Sequence, residues 1–292
     1  MLSALLFSVT VTVSRQPLVM PDSIAVTKGM IYQTRGITEL KIDAYISTKT
    51  SPKKRPAILF LHGGAWRDGR RDMPNPVTWQ FAELGYAAFQ CDYRLSQEAV
   101  FPAQLHDVRS AIRWIKANAY RWNINPEKIG IWGMSAGGHL ALLTAYSPGE
   151  NEEPNIEPTR LNAVGAIFPT TDILQVYRYR LAQKDVRSDL VGIASPEYQL
   201  LGGDPERMRD MAKFASPTFY VSQDDPPTWL VHGYNDDVVP IEQSRNLLTL
   251  LTQNKVRSQL VILSSLRHEA KYDAFQSGIV SFFQRELGPP QE

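Results

Sequence analysis

The stretch IGIWGMSAGGHLALLTAY, Ile129 to Tyr146, changes character at its middle. It opens as an apolar run of the kind that forms a buried strand and closes as a small-residue run of helical composition. At the junction, Gly133, Met134, Ser135, Ala136 and Gly137 spell G-x-S-x-G. A serine fenced by glycines between a strand and a helix marks a tight, strained turn that exposes the serine oxygen at the edge of a sheet. Side chains in place of the glycines would collide with the strand and the helix.

Other apolar runs flank this unit. AILFL, YAAFQCDY, AVGAIF, TWLV and QLVIL, together with KIGIW at the start of the quoted stretch, read as strands covered on both faces. Upstream, ELKIDAYIS alternates, with Leu40, Ile42, Ala44 and Ile46 on one face, as in a half-buried strand. AVTKGMIYQT before it reads as an antiparallel partner. Helical spacing recurs between the runs: Leu105, Val108, Ile112 and Ile115; Ile241, Leu248 and Leu251; Phe275, Ile279, Phe282 and Phe283. Strands alternating with helices predict an α/β fold with a mostly parallel central sheet of about eight strands, joined by right-handed crossovers. Residues 25–292 form the domain, and 1–24 an extension. Between about 172 and 214 the strand rhythm stops, which predicts a small lid insertion over the carboxyl edge of the sheet.

Composition bounds the partners. With 31 Lys and Arg against 30 Asp and Glu, the formal charge is +1, so there is no electrostatic footprint for nucleic acid. LSALLFSVTVTV near the start is too short for a membrane span, which needs about 20 residues. It resembles the apolar core of a signal peptide without the usual basic leader, so both a cytoplasmic and a secreted location stay open. The single cysteine, Cys91, closes an apolar run and reads as a small buried thiol. No His/Asp cluster has metal-ligand spacing, and no cofactor is implied.

A serine hydroxyl needs a base to take its proton. Of the five histidines, His62 ends a strand ahead of glycines, His106 lies in a helix, His139 sits one turn beyond Ser135, and His232 ends the TWLVH strand. His268 alone lies in a late loop, between the last strand and the last helix, where the order Ser…Asp…His calls for the base. The acid that orients it should fall in HGYNDDVVP, which leaves Asp236 and Asp237, with Glu242 further into a helix. HGGAW, His62 to Trp66, follows a buried strand and offers backbone N–H donors at Gly64 and Ala65 for a developing oxyanion, joined by that of Ala136. Trp66, Met134, Phe168 and Pro169 are candidate pocket walls by position. Tyr177, Tyr179, Tyr198, Arg178, Arg180 and Arg187 in the insertion are candidates to recognise an aromatic or acidic leaving group, or else an amphipathic helix with solvated arginines.

The set HGGAW, GMSAGG, HGYNDDVVP and a late His268 resembles the α/β-hydrolase esterase/lipase superfamily. It is most similar to the HGG-bearing branch that includes hormone-sensitive-lipase-like esterases, kynurenine formamidases and bacterial feruloyl or acetyl esterases. The resemblance runs from about Leu40 to Leu287 and covers DYRLSQEAVFPAQLHDVRSAIRWIKANA. It implies an α/β-hydrolase fold and a serine carboxylester hydrolase acting on small-molecule esters. Acetylxylan or feruloyl ester cleavage, or arylformamide cleavage, are the variants, and a catalytically dead binding module is the alternative outside catalysis. In HG-x-x-D-x-x-VP the family's acid falls on Asp236. Two departures stand out: Ala65, where many relatives carry glycine, and Glu269 directly after His268.

Overall fold

The structure, a computed structural model, describes residues 18–147, 149, 159–184 and 187–288. Eight segments become strands among the described residues: β1 (Ile24–Arg35), β2 (Thr38–Ser47), β3 (Arg55–Leu61), β4 (Ala87–Cys91), β5 (Ile124–Met134), β6 (Ala163–Ile167), β7 (Thr228–Gly233) and β8 (Ser258–Leu263). They form one sheet in the order β1-β2-β4-β3-β5-β6-β7-β8. β1 pairs antiparallel with β2, and β2 with β4; every later pairing is parallel. The helices are α1 (Pro76–Glu83), α2 (Ala103–Ala117), α3 (Ala136–Tyr146), α4 (Ile173–Leu181), α5 (Pro196–Leu201), α6 (Arg209–Phe214), α7 (Glu242–Gln253) and α8 (Gln276–Leu287). No helix among the described residues is long and apolar enough to cross a membrane.

The core splits across the sheet. On one face, α2, α3 and α7 bury Leu105, Ile112, Leu140 and Leu247; on the other, α1 and α8 bury Phe81, Ile279 and Phe283. Cys91 is a free thiol inside the first of these layers. β3, β4, β6 and β7 are buried along their whole length, as continuous apolar runs between two helical layers should be.

Three expectations change. β2 is not half-buried along its length: Asp43 and Tyr45, opposite the Ile42/Ala44 face, are covered too, because β1 and β4 flank the strand and α1 lies over that side. The QLVIL run, in contrast, is the edge strand β8, where Ile262 is 43% exposed. An apolar run reports composition, whereas coverage depends on how many strands stand beyond it. In α7 the buried face runs through Ser244, Leu247 and Leu251, and Leu248 is turned partly outward.

Between β6 and β7 the chain builds α4, α5, α6 and short 3-10 turns, with no strand among the described residues. Local caps shape these pieces. Asp172 accepts from the Gln175 N–H at the start of α4, and Ser195 accepts from the Tyr198 N–H ahead of Pro196 in α5. Most of the 1–24 extension lies outside the described residues.

Candidate active site

The parallel strands end on one side of the sheet, and the loops that follow β3, β5, β7 and β8 converge there. Ser135 lies between β5 and α3 with φ 53° and ψ −119°, a conformation L residues rarely hold. The glycines on either side permit it. A Cβ on Gly133 would lie 2.4 Å from the Gly137 carbonyl, and one on Gly137 would lie 2.2 Å from the Leu61 carbonyl oxygen. The turn is therefore packed backbone to backbone against β3. The Ser135 N–H donates to the Ile167 carbonyl at 2.9 Å, tying the turn to β6 as well.

His268 comes off the loop after β8, and its Nε2 lies 3.0 Å from Ser135 Oγ. Its Nδ1 lies 2.8 Å from Asp236 Oδ2. An ionised carboxylate only accepts, so Nδ1 carries the proton and Nε2 presents its lone pair to the serine hydroxyl. The Phe168 ring packs on the imidazole, with centroids 4.4 Å apart. The structure thus brings together Ser135, His268 and Asp236 from three loops. Asp237 points elsewhere: it is half exposed and pairs with Arg267. Glu242 pairs with Arg245 on the outer face of α7, and Glu269 pairs with Lys271.

Asp236 is held as an anion. Its side chain is fully buried, which works against charge. Hydrogen bonds from His232 and His268, and the N–H of Val239, outweigh that penalty and hold the carboxyl well below the usual carboxylate range. Oδ1 accepts from the amides of Val238 and Val239 at 2.9 and 2.8 Å. His232 Nε2 lies 3.4 Å from Oδ2 and 2.9 Å from the Val239 carbonyl, while its Nδ1 meets Ser244 Oγ at 2.7 Å. Sequence reasoning set His232 aside as a strand terminus and missed this contact; its signal was the spacing to Asp236, one tight turn further along.

The HGGAW loop curls beside the serine. Gly64, Ala65 and Trp66 all have positive φ, 115°, 54° and 57°. For the two non-glycine residues this costs roughly 1–3 kcal/mol each. The curl leaves the amides of Gly64 and Ala65 without a hydrogen-bond partner among the described residues. Ala136 opens α3, where the first amides of a helix have no carbonyl behind them. The Tyr93 hydroxyl donates to the His62 carbonyl at 2.9 Å and stacks on the His62 ring, which anchors the loop.

A cleft of about 630 Å³ opens over Ser135 and His268. Met134, Phe168 and Ala65 line it, as do Met73, Leu190 and Tyr272. Trp66 and Pro169 do not. The left-handed turn at Trp66 swings its indole into the core, where Nε1 donates to His139 Nδ1 at 3.1 Å. Pro169 is buried against the Gly138 turn of α3. Of the polar lid residues singled out in the sequence, Arg187 alone is among the cleft's lining residues. Arg178 pairs with Glu206, and Arg180 is buried against Glu197. Arg67, directly after HGGAW, donates to Asp189 and to the Ala194 carbonyl, tying the segment between β6 and β7 to the loop beside the serine.

The family model BD-FAE matches residues 42–251. The chain belongs to this family. Over 214 residues it is 30% identical to the probable carboxylic ester hydrolase LipM of Mycobacterium tuberculosis, covering 72% of this chain and 48% of the relative. The chain spans about half the length of the curated relatives it matches. Among solved structures, a truncated carbohydrate esterase from gut microbiota superposes with a TM-score of 0.76 at 25% identity, covering 91% of this chain and 98% of that one. Thermogutta terrifontis esterase 2 phosphonylated by sarin gives a TM-score of 0.75 at 25% identity, covering 96% and 100%. These neighbours and the sheet order make this an α/β-hydrolase fold.

Proposed function

We propose that the chain is a serine carboxylester hydrolase whose nucleophile, base and acid are Ser135, His268 and Asp236. The observation that carries the reading is the unbroken hydrogen-bond line from Ser135 Oγ through both nitrogens of His268 to a buried, anionic Asp236. In this reading His268 Nε2 takes the hydroxyl proton as Oγ attacks the acyl carbon. The carbonyl π electrons move onto oxygen, and the amides of Gly64, Ala65 and Ala136 receive that charge. Collapse of the intermediate breaks the ester C–O bond, and His268 returns its proton to the departing alkoxide. Water, deprotonated by the same nitrogen, then attacks the acyl-enzyme and releases the acid and the free serine. Asp236 stabilises the transient imidazolium without itself taking the proton.

The cleft volume and the apolar walls at Met134, Phe168 and Leu190 support short-chain or small aromatic esters. A second reading, esters on carbohydrate, is favoured by the similarity to the gut carbohydrate esterase over nearly its whole length. Purified protein and its Ser135→Ala variant are compared on p-nitrophenyl esters from acetyl to palmitoyl, methyl ferulate, acetylated xylan and N-formylkynurenine. Turnover highest on short esters and abolished in the variant is expected, a loss on the order of 10⁵–10⁶-fold in kcat. Turnover that survives in Ser135→Ala overturns the nucleophile. Acetylated xylan outrunning p-nitrophenyl acetate would select the carbohydrate reading.

A further inference from the structure

The loop that carries Asp236 is gripped from the lid by a buried guanidinium. Arg180, late in α4, is 4% exposed, and Glu197 in α5 is fully buried. Arg180 Nη1 donates to both oxygens of Glu197, at 2.7 and 2.8 Å. Its Nε and Nη2 both donate to a single acceptor, the Val238 carbonyl, at 3.0 and 2.8 Å. The Val238 carbonyl and the Val239 N–H are two ends of one peptide group. That N–H donates to Asp236 Oδ1 at 2.8 Å.

We propose that Arg180, oriented by Glu197, is a positioning residue for Asp236, acting through the Val238–Val239 peptide. A cation on the carbonyl end of an amide draws electron density from its N–H, which becomes a stronger donor to whatever it meets. Two donors from one rigid fork also fix the plane of that peptide, and so the direction in which the N–H points. The carboxylate is then held in line with His268 Nδ1. The inference rests on the reading of Asp236 as the acid.

Anchoring the lid alone does not account for the arrangement. Apolar residues of similar volume hold packed elements together as well as a buried ion pair does, and without its desolvation cost. The lid's Arg178–Glu206 pair, half exposed at the arginine, links α4 to the segment before α6 and reaches no catalytic loop. Arg180 instead spends two of its donors on one backbone carbonyl next to the acid. It is absent from the cleft wall, so it acts at a distance from substrate.

The test is a double-mutant cycle on full-length protein with p-nitrophenyl acetate. Arg180→Met/Glu197→Gln removes both charges together and leaves no lone buried carboxylate. It is made in the native background and in Asp236→Asn. In the native background kcat is expected to fall about ten- to thirtyfold with KM within about twofold, and in Asp236→Asn by less than about threefold. Arg180→Lys, which keeps a cation on the carbonyl, is expected to recover part of the loss, and Arg178→Gln to leave kcat unchanged. Equal losses in both backgrounds overturn the inference and reduce Arg180 to a lid anchor. Near-native activity of Asp236→Asn by itself overturns the acid assignment, and the inference with it. Should Arg180→Met/Glu197→Gln not fold, the same two-background comparison with Arg180→Lys decides the matter.

Discussion

Along the carboxyl edge of the sheet, Ser135 and Asp236 stand on turns held largely by backbone contacts. Gly133 and Gly137 admit the serine turn, and the amides of Val238 and Val239 hold the carboxylate two and three residues before them. The segment opposite, between β6 and β7, is tied in part by side chains distant in the chain: Arg67 and Asp189 are 122 positions apart, and Arg178 and Glu206 28. Short backbone contacts on several sides fix a side chain tightly. Long flexible ion pairs, mostly half exposed, fix a wall less tightly. In the proposed reading, the contrast suits a rigid reaction centre under a more adaptable wall.

The sharpest way to break this comparison is to change, one at a time, the two neighbouring carboxylates of the loop after β7. Asp236→Asn is expected to lower kcat by about 10³–10⁴-fold, because the amide cannot hold His268 in the required tautomer. Asp237→Asn, which touches only exposed Arg267, should cost less than about twofold. The reverse ranking in steady-state assays would move the acid to Asp237.

His139 sharpens the boundary between the two regions, since it joins them. Its Nδ1 accepts from the Trp66 indole and its Nε2 donates to the Ala215 carbonyl at the lid's end, so the ring is held neutral. Complete burial pushes its pKa down to about 4. Between the ordinary histidine value of about 6.5 and that value, the unfolded chain binds a proton that the folded chain refuses. Stability should therefore be full above pH 6.5 and fall as pH drops toward 4, by on the order of 3 kcal/mol from this group. Thermal melts of the native protein and His139→Gln across that window check it: the variant should be less stable at pH 7 but lose less on acidification. Parallel curves would mean His139 contributes no such term.

The smallest effect belongs to the lid latch. Asp189→Asn removes the carboxylate shared by Arg67 and Arg187, pairs that are 25–65% exposed. KM on small esters should change by less than about fivefold with kcat unchanged. A tenfold fall in kcat would show that the cover, too, sets the reacting geometry.

What was legible in the sequence follows the same division. Ser135 and His268 were pointed to by local turn chemistry and by chain order, and the resemblance chose Asp236 over Asp237; the structure sets all three within hydrogen-bonding distance. Six strands were visible as apolar runs, and β1 and β2 through alternation and their pairing as neighbours. The edge position of β8 was not, since an apolar run does not say whether another strand lies beyond it. Trp66 was placed in the pocket by its proximity to HGG, yet a positive φ turned it into the core. The roles of Arg180 and Glu197 had no local signal at all, because a buried ion pair is recognisable only once both partners are in place.

His268 stands on a loop that leaves β8, an edge strand with no fully buried residue, while Ser135 leaves β5 at the centre of the sheet. Local opening begins where burial is poorest. Fraying of that margin would carry His268 away from a serine whose own surroundings are still intact. On gentle heating the Ser135–His268 contact would part while the molecule remained, to a spectrometer, a folded protein.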